Sequence, residues 1–129
     1  MEKVRIIVCG GKDFSDKEMM YGVLNEIYDQ YPEAEIISGH AKGADMIAEE
    51  YALNYRHNLK VFEADWKRYG RGAGPIRNRE MLKYAGEGNP IVIAFWDGKS
   101  RGTANMIRLA KNAGVEYIIK MYEKRDRAE

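Results

Sequence analysis

The sequence predicts an α/β fold of the Rossmann-like kind, a three-layer sandwich of about five parallel strands in the order 3-2-1-4-5. Two observations predict it. Short apolar runs alternate with stretches of helical period from end to end, and three of those runs, "VRIIVCGG", "EIISG" and "PIVIAFWDG", break at glycines. Strict alternation implies right-handed crossovers and helices on both sheet faces. The order puts the topological switch between the first and fourth strands, and ligands in such sheets bind at the carboxyl ends beside the switch. The 129 residues are expected to form a single domain, with a charged tail from about residue 123.

"VRIIVCGG" reads as a strand buried on both faces and stopped by a tight turn. Ser15, with Glu18 three residues on, is the expected cap of the first helix. Met20, Val23, Leu24, Ile27 and Tyr31 form its apolar face, and it ends before Pro32. "EIIS" is a short second strand. In the next helix Ala44, Ile47, Ala48, Tyr51, Ala52 and Tyr55 make one stripe. "KVFEA" reads as the third strand, and the segment from Asp65 to Gly74 as an irregular loop. Pro75 then fits the first turn of a helix running to about Ala85, where its missing N–H is harmless. "PIVIAFW" is a central strand, "DGKSRGTANMIRLAKNAGV" repeats the turn-then-helix device with Gly114 as the stop, and "VEYIIKMY" is the last strand.

Lys+Arg of 21 against Asp+Glu of 20 leaves a net charge of +1, so any basic site must be local. One cysteine, Cys9, excludes an internal disulfide framework and a multi-cysteine zinc site, and it suits a reducing compartment; the expected location is cytoplasmic. No stretch has the length of a membrane span, no metal site is expected, and no cofactor is called for. A Walker lysine pattern, and a GxGxxG after the first strand, are lacking.

The three turns "GGKDF", "GHAKGAD" and "DGKSRGT" should converge on one crevice. Glycines allow close backbone approach, and the free N–H groups of a helix start attract anions. The first turn offers Gly10, Gly11 and Asp13. The second offers Gly39, Lys42 and Gly43, with Asp45 placed to cap the helix or bind a ribose hydroxyl. The third offers Gly98, Ser100, Arg101, Gly102 and Thr103. Each is equally readable as an ordinary strand-to-helix turn. Arg77 shares a helical face with Met81, Tyr84 and Ala85, which puts its guanidinium near the sheet rim as a phosphate clamp, or alternatively in an ion pair with Glu80. Glu80 is a candidate general acid or base. Lys67, Arg68, Arg71, Arg77 and Arg79, interleaved with Trp66 and Tyr69, suit a lid over a base, a surface for single-stranded nucleic acid, or a solvated loop. Cys9 reads as a small core residue, His40 as a turn residue near the ligand, and His57 as a helix-surface residue.

Taken together and in order, "GGKDF", "SGHAKGAD", "ADWKRYGRGAGPIRNREM" and "AFWDGKSRGT" resemble the YspA-like, cpYpsA-related branch of the SLOG superfamily, from Gly10 to about Gly114. The resemblance implies a Rossmann-like fold and a nucleotide or nucleotide-derived ligand on the glycine turns. Lonely Guy phosphoribohydrolases of the same superfamily are similar in Arg77, Asn78 and Met81, the strand "IVIAFW", and Gly98 to Thr103. Their glutamate, implicated in breaking the N-glycosidic bond, is replaced here by Met106, which fits the apolar stripe with Ile107 and Ala110. Glu80, Asp45 or Asp97 would have to substitute, with Glu80 and Asp97 the candidate catalytic carboxylates.

Three functions follow as expectations: a sensor or sequestering module for a nucleotide-derived small molecule, a nucleotide N-glycosidic hydrolase or transferase, and single-stranded nucleic-acid binding by analogy with the SLOG-fold DNA processing protein A. Nine tyrosines and seven methionines also leave apolar surface for a homo-oligomer.

Overall fold

The computed structural model describes residues 2–123; the expected charged tail, apart from Glu123, lies outside them. Five parallel strands, β1 (Val4–Gly10), β2 (Glu35–Ser38), β3 (Asn58–Val61), β4 (Asn89–Trp96) and β5 (Glu116–Met121), form one sheet in the order β3-β2-β1-β4-β5. The helices are α1 (Lys17–Gln30), α2 (Ala44–Asn54), the single turn α3 (Trp66–Tyr69), α4 (Ala73–Gly86) and α5 (Arg101–Ala113). The sheet order and the Rossmann-like fold are those read from the sequence.

Strand alternation explains why the central runs are apolar throughout. In β1, Val4, Ile6 and Val8 pack with Ile91, Ile93 and Phe95 of β4 against Met20, Leu24 and Tyr28 of α1 and Ala44, Ala48 and Tyr51 of α2. Ile7, Ile37 and Val92 point the other way, onto Met81 and Ala85 of α4 and Met106 and Ala110 of α5. Met106 is fully buried there.

Several local expectations are corrected. Asp16, not Ser15, caps α1, its carboxylate accepting from the Met19 N–H at 2.9 Å. Tyr31 and Tyr55 end their helices as exposed caps rather than core residues. β3 begins two residues earlier than "KVFEA" and ends at Val61, because it is an edge strand with little apolar signal; Phe62 packs against the Tyr84 ring at 5.6 Å instead. The expected loop after Asp65 contains α3, capped by the Asp65 carboxylate, and a 3₁₀ turn over Gly70–Gly72. His57 follows α2 and stacks on Tyr28 with ring centroids 3.6 Å apart, and burial lowers its pKa.

At the carboxyl ends of the strands the first two turns lock together. Gly43 has a φ of 83°, and a Cβ there would lie 2.2 Å from the Gly11 carbonyl oxygen. That oxygen accepts from the Ala44 N–H at 3.3 Å. Gly43→Ala is therefore expected to destabilise the fold by about 2–4 kcal/mol, since strain and a backbone clash add. Denaturant unfolding checks this, and a change below about 0.5 kcal/mol would show the contact to be dispensable.

Candidate functional site

A cavity of about 320 Å³ opens beside the switch between β1 and β4. Its wall is contributed by the end of β1 and the turn after it (Cys9, Gly10, Lys12), the turn into α2 and that helix's first turn (Gly39, Ala41, Asp45), Trp66 and Arg71, the start of α4, and the start of α5. Of the residues singled out in the sequence it gathers Gly10, Gly39, Asp45, Trp66, Arg77, Asn78, Ser100, Arg101, Gly102 and Thr103. Gly11, Asp13 and Asp97 line an adjoining depression that shares Lys12 and residues 100–102 with it. Gly11 is closed off from the other side, because a Cβ there would meet the Tyr122 hydroxyl, which donates to Asp13 at 2.6 Å. Lys42, Gly43, Gly98 and Glu80 line neither space, and Glu80 is exposed.

Arg77 is held in a specific place. Its Nη1 donates to the Gly39 carbonyl at 2.6 Å and its Nε to Asn78 Oδ1 at 3.0 Å. A Cβ on Gly39 would lie 2.8–3.0 Å from the guanidinium atoms, so the bare backbone of Gly39 is what lets the planar group lie flat on the turn. The alternative pairing with Glu80 is not formed among the described residues. Asn78 is 5% exposed and donates from Nδ2 to the Gly102 carbonyl and to Asn105 Oδ1.

The start of α5 is open. Ser100 stands at its N-cap without making a side-chain cap; its hydroxyl pairs with that of Thr103 at 3.1 Å. Nothing lies within 4 Å of where a Gly102 Cβ would sit. Ser100, Arg101, Gly102 and Thr103 line the cavity, with the positive end of a 13-residue helix behind them. Asp97 shapes the approach by accepting from the Lys99 and Ser100 N–H groups at 2.8 and 2.9 Å. At the α2 start the Ala44 N–H already donates to the Gly11 carbonyl at 3.3 Å, and in the turn before it the Ala41 N–H donates to Asp45 Oδ2 at 3.1 Å.

Among the described residues, four cationic side chains, Lys12, Arg71, Arg77 and Arg101, line the cavity against one carboxylate, Asp45. Burial pushes the Asp45 pKa up to about 6, with the Ala41 N–H and the Arg77 charge opposing. Burial, with the Asp45 charge adding, also pushes the Cys9 thiol far up, so it remains protonated and unreactive at neutral pH. Trp66 leans over Gly74 at the rim, its ring edge 3.5 Å from a Cβ placed there, and stays 58% exposed. Tyr69 does not reach the cavity. His40, with a φ of 60°, turns away from the cavity: its Nδ1 pairs with the buried Glu49 carboxylate at 2.9 Å, which raises its pKa, and Ser38 Oγ donates to the same oxygen at 2.7 Å.

The family described as "YspA, cpYpsA-related SLOG" matches residues 4–69. The chain belongs to that SLOG family. The matched segment carries β1, both of the first two turns and Trp66, and it stops before Arg77 and α5. The chain is also 30% identical over 120 residues to the Gene 61 protein of Mycobacterium phage D29, an alignment covering 88% of this chain and 94% of that one. Family membership supports a nucleotide-related ligand in coarse terms. Among the described residues no helix is long and apolar enough to cross a membrane, and no group of three or more potential ligands is placed to hold a metal ion.

Sequence reasoning missed Lys12 and Asn105 as wall residues and gave Arg71 only as one member of the basic loop. The signal for Asn105 was available, as it lies one turn beyond Gly102 on the same helical face.

Proposed function

We propose that this chain holds a nucleotide or nucleotide-derived phosphate ligand in the cavity beside the β1–β4 switch, as a sensor or sequestering module. The observation that carries the reading is the uncapped start of α5 opening onto a cavity with four cationic side chains and a single carboxylate. Phosphate sits on the N–H groups of Arg101, Gly102 and Thr103, with Arg77 completing the charge balance. Asp45 takes ribose hydroxyls, and Trp66 covers the base. The turn over residues 39–43 supports Arg77 and the α2 start rather than a second phosphate.

The test is mass spectrometry of protein-bound and free pools after incubation with nucleoside monophosphates, ADP-ribose, NAD and cyclic dinucleotides. One intact nucleotide retained on the protein is the expected result; none retained would contradict the reading. Gly102→Ala separates function from fold. It should leave stability unchanged or raise it by up to ~1 kcal/mol, because alanine favours a helix, yet weaken binding by filling the cradle. Equal affinity for the two proteins in calorimetry would move the phosphate off α5.

A second reading, hydrolysis or transfer at the anomeric carbon of a nucleotide, draws on Asp45, the carboxylate in the cavity wall, since Met106 is core and Glu80 faces solvent. Free base and ribose 5-phosphate accumulating with time, and lost in Asp45→Asn, are its signature.

A further inference from the structure

The cavity wall carries an amide whose polarity is dictated by its neighbours. The Arg77 side chain has donors only, so the Asn78 atom 3.0 Å from its Nε is the oxygen. The Gly102 carbonyl is an acceptor only, so the Asn78 atom facing it at 3.3 Å is the nitrogen. These two constraints, from α4 and α5, agree on one orientation of the Asn78 amide. Its nitrogen then donates to Asn105 at 2.9 Å, so the Asn105 atom facing it is the oxygen. That leaves the Asn105 NH₂ turned away from Asn78, with no hydrogen-bond partner among the described residues, on a side chain that lines the cavity.

We infer that Asn105 is the specificity-determining donor of this cavity, pairing its NH₂ with an acceptor oxygen of the ligand and disfavouring ligands that present a donor there. The inference rests on the nucleotide reading above. Asn78 is the positioning residue: through it the guanidinium that clamps the Gly39 turn also dictates which end of the Asn105 amide the ligand meets. The acceptor is either a phosphate oxygen, one helical turn from the N–H groups of residues 101–103, or the keto oxygen of a base.

Calorimetry with ribose 5-phosphate, IMP and AMP on the wild-type chain and on Asn105→Asp tests the inference. Aspartate keeps an oxygen toward Asn78 and replaces the donor with a charged acceptor, so melting temperature should hold while affinity falls at least tenfold. A loss for all three probes assigns the phosphate oxygen; a loss for IMP with AMP and ribose 5-phosphate spared assigns the keto oxygen. Asn78→Asp should produce the same loss with residue 105 untouched, because Asn105 must turn over to donate to the new carboxylate. Should that variant fail to fold, nitrogen-15 NMR of the wild-type chain decides the orientation: the Asn105 NH₂ exchanges rapidly with water and shifts on ligand addition, whereas the Asn78 NH₂ is protected. An Asn105 NH₂ as protected as that of Asn78, or wild-type affinity in Asn105→Asp, overturns the role of Asn105 alone. A wild-type chain that binds none of the three yet retains another nucleotide of the panel above overturns the pairing of Asn105 with these acceptors and leaves the nucleotide reading standing; a chain that retains none of that panel overturns both.

Discussion

Replacing Arg77 with alanine is expected to weaken binding of a phosphate-bearing nucleotide by about 1.5 to 3 kcal/mol, roughly 10- to 150-fold, the range for a lost charged hydrogen bond. The effect has two sources. The guanidinium supplies charge at the cavity wall, and it also bridges the Gly39 carbonyl and Asn78 Oδ1, so its removal leaves both acceptors without their donor and frees the turn into α2. Arg77→Lys tests the distinction. A lysine restores the charge but cannot reproduce the planar fork lying flat on Gly39, so it should recover only part of the affinity. Calorimetry with AMP or ADP-ribose checks both variants, and affinity unchanged in Arg77→Ala would remove this residue from the site.

Asp45→Asn is expected to stabilise the protein at pH 7.5 while impairing recognition of a ribose. In the folded state burial raises the Asp45 pKa from 3.8 to about 6. Below about pH 4 both folded and unfolded chains carry the proton, and the carboxyl costs nothing. Between about pH 4 and 6 the unfolded chain has lost the proton and the folded one retains it, so stability falls as pH rises. Above about pH 6 the buried charge carries its full penalty, about 3 kcal/mol for a two-unit shift. Asparagine can still accept from the Ala41 N–H and has no charge to desolvate. Thermal unfolding of the two proteins should therefore agree near pH 4 and diverge toward pH 7.5, with the variant more stable. A constant difference across that range would contradict the burial account. A buried carboxylate that costs stability fits a binding role, and the variant should lose affinity for AMP while keeping that for pyrophosphate.

The fold was legible because its central strands are apolar on both faces and its helices have clear stripes. Legibility failed where packing replaced pattern. β3 is an edge strand, with Asn58, Lys60 and Val61 exposed, so the apolar Phe62 drew the strand downstream of its true span. The α3 turn is built from Trp66 to Tyr69 with no buried residue, and only its Asp65 cap marks it. His57 looked like a surface residue because its stacking partner, Tyr28, lies on a different helix.

The candidate site divides in the same way. Convergence of the glycine turns followed from topology alone, and Gly10, Gly39 and Gly102 do line one cavity. The Arg77 partners did not follow, since the Gly39 carbonyl is 38 residues away in sequence while Glu80 sits on the adjacent turn. The sequence puts Gly11 and Gly43 on the same footing as Gly102, and the structure shows that their missing side chains make room for Tyr122 and for the facing backbone. Open space at Gly102 against crowding at Gly43 is a distinction that only the assembled turns reveal.

The central claim is that the first turn of α5 holds the anion. The most direct measurement is a nitrogen-15 NMR titration of the backbone amides with AMP. The account predicts saturable shifts centred on Arg101, Gly102 and Thr103, accompanied by the Arg77 Nε–H, with little change at Lys42 and Gly43. Shifts centred on residues 42–44, or no saturable shift at the α5 start, would contradict it.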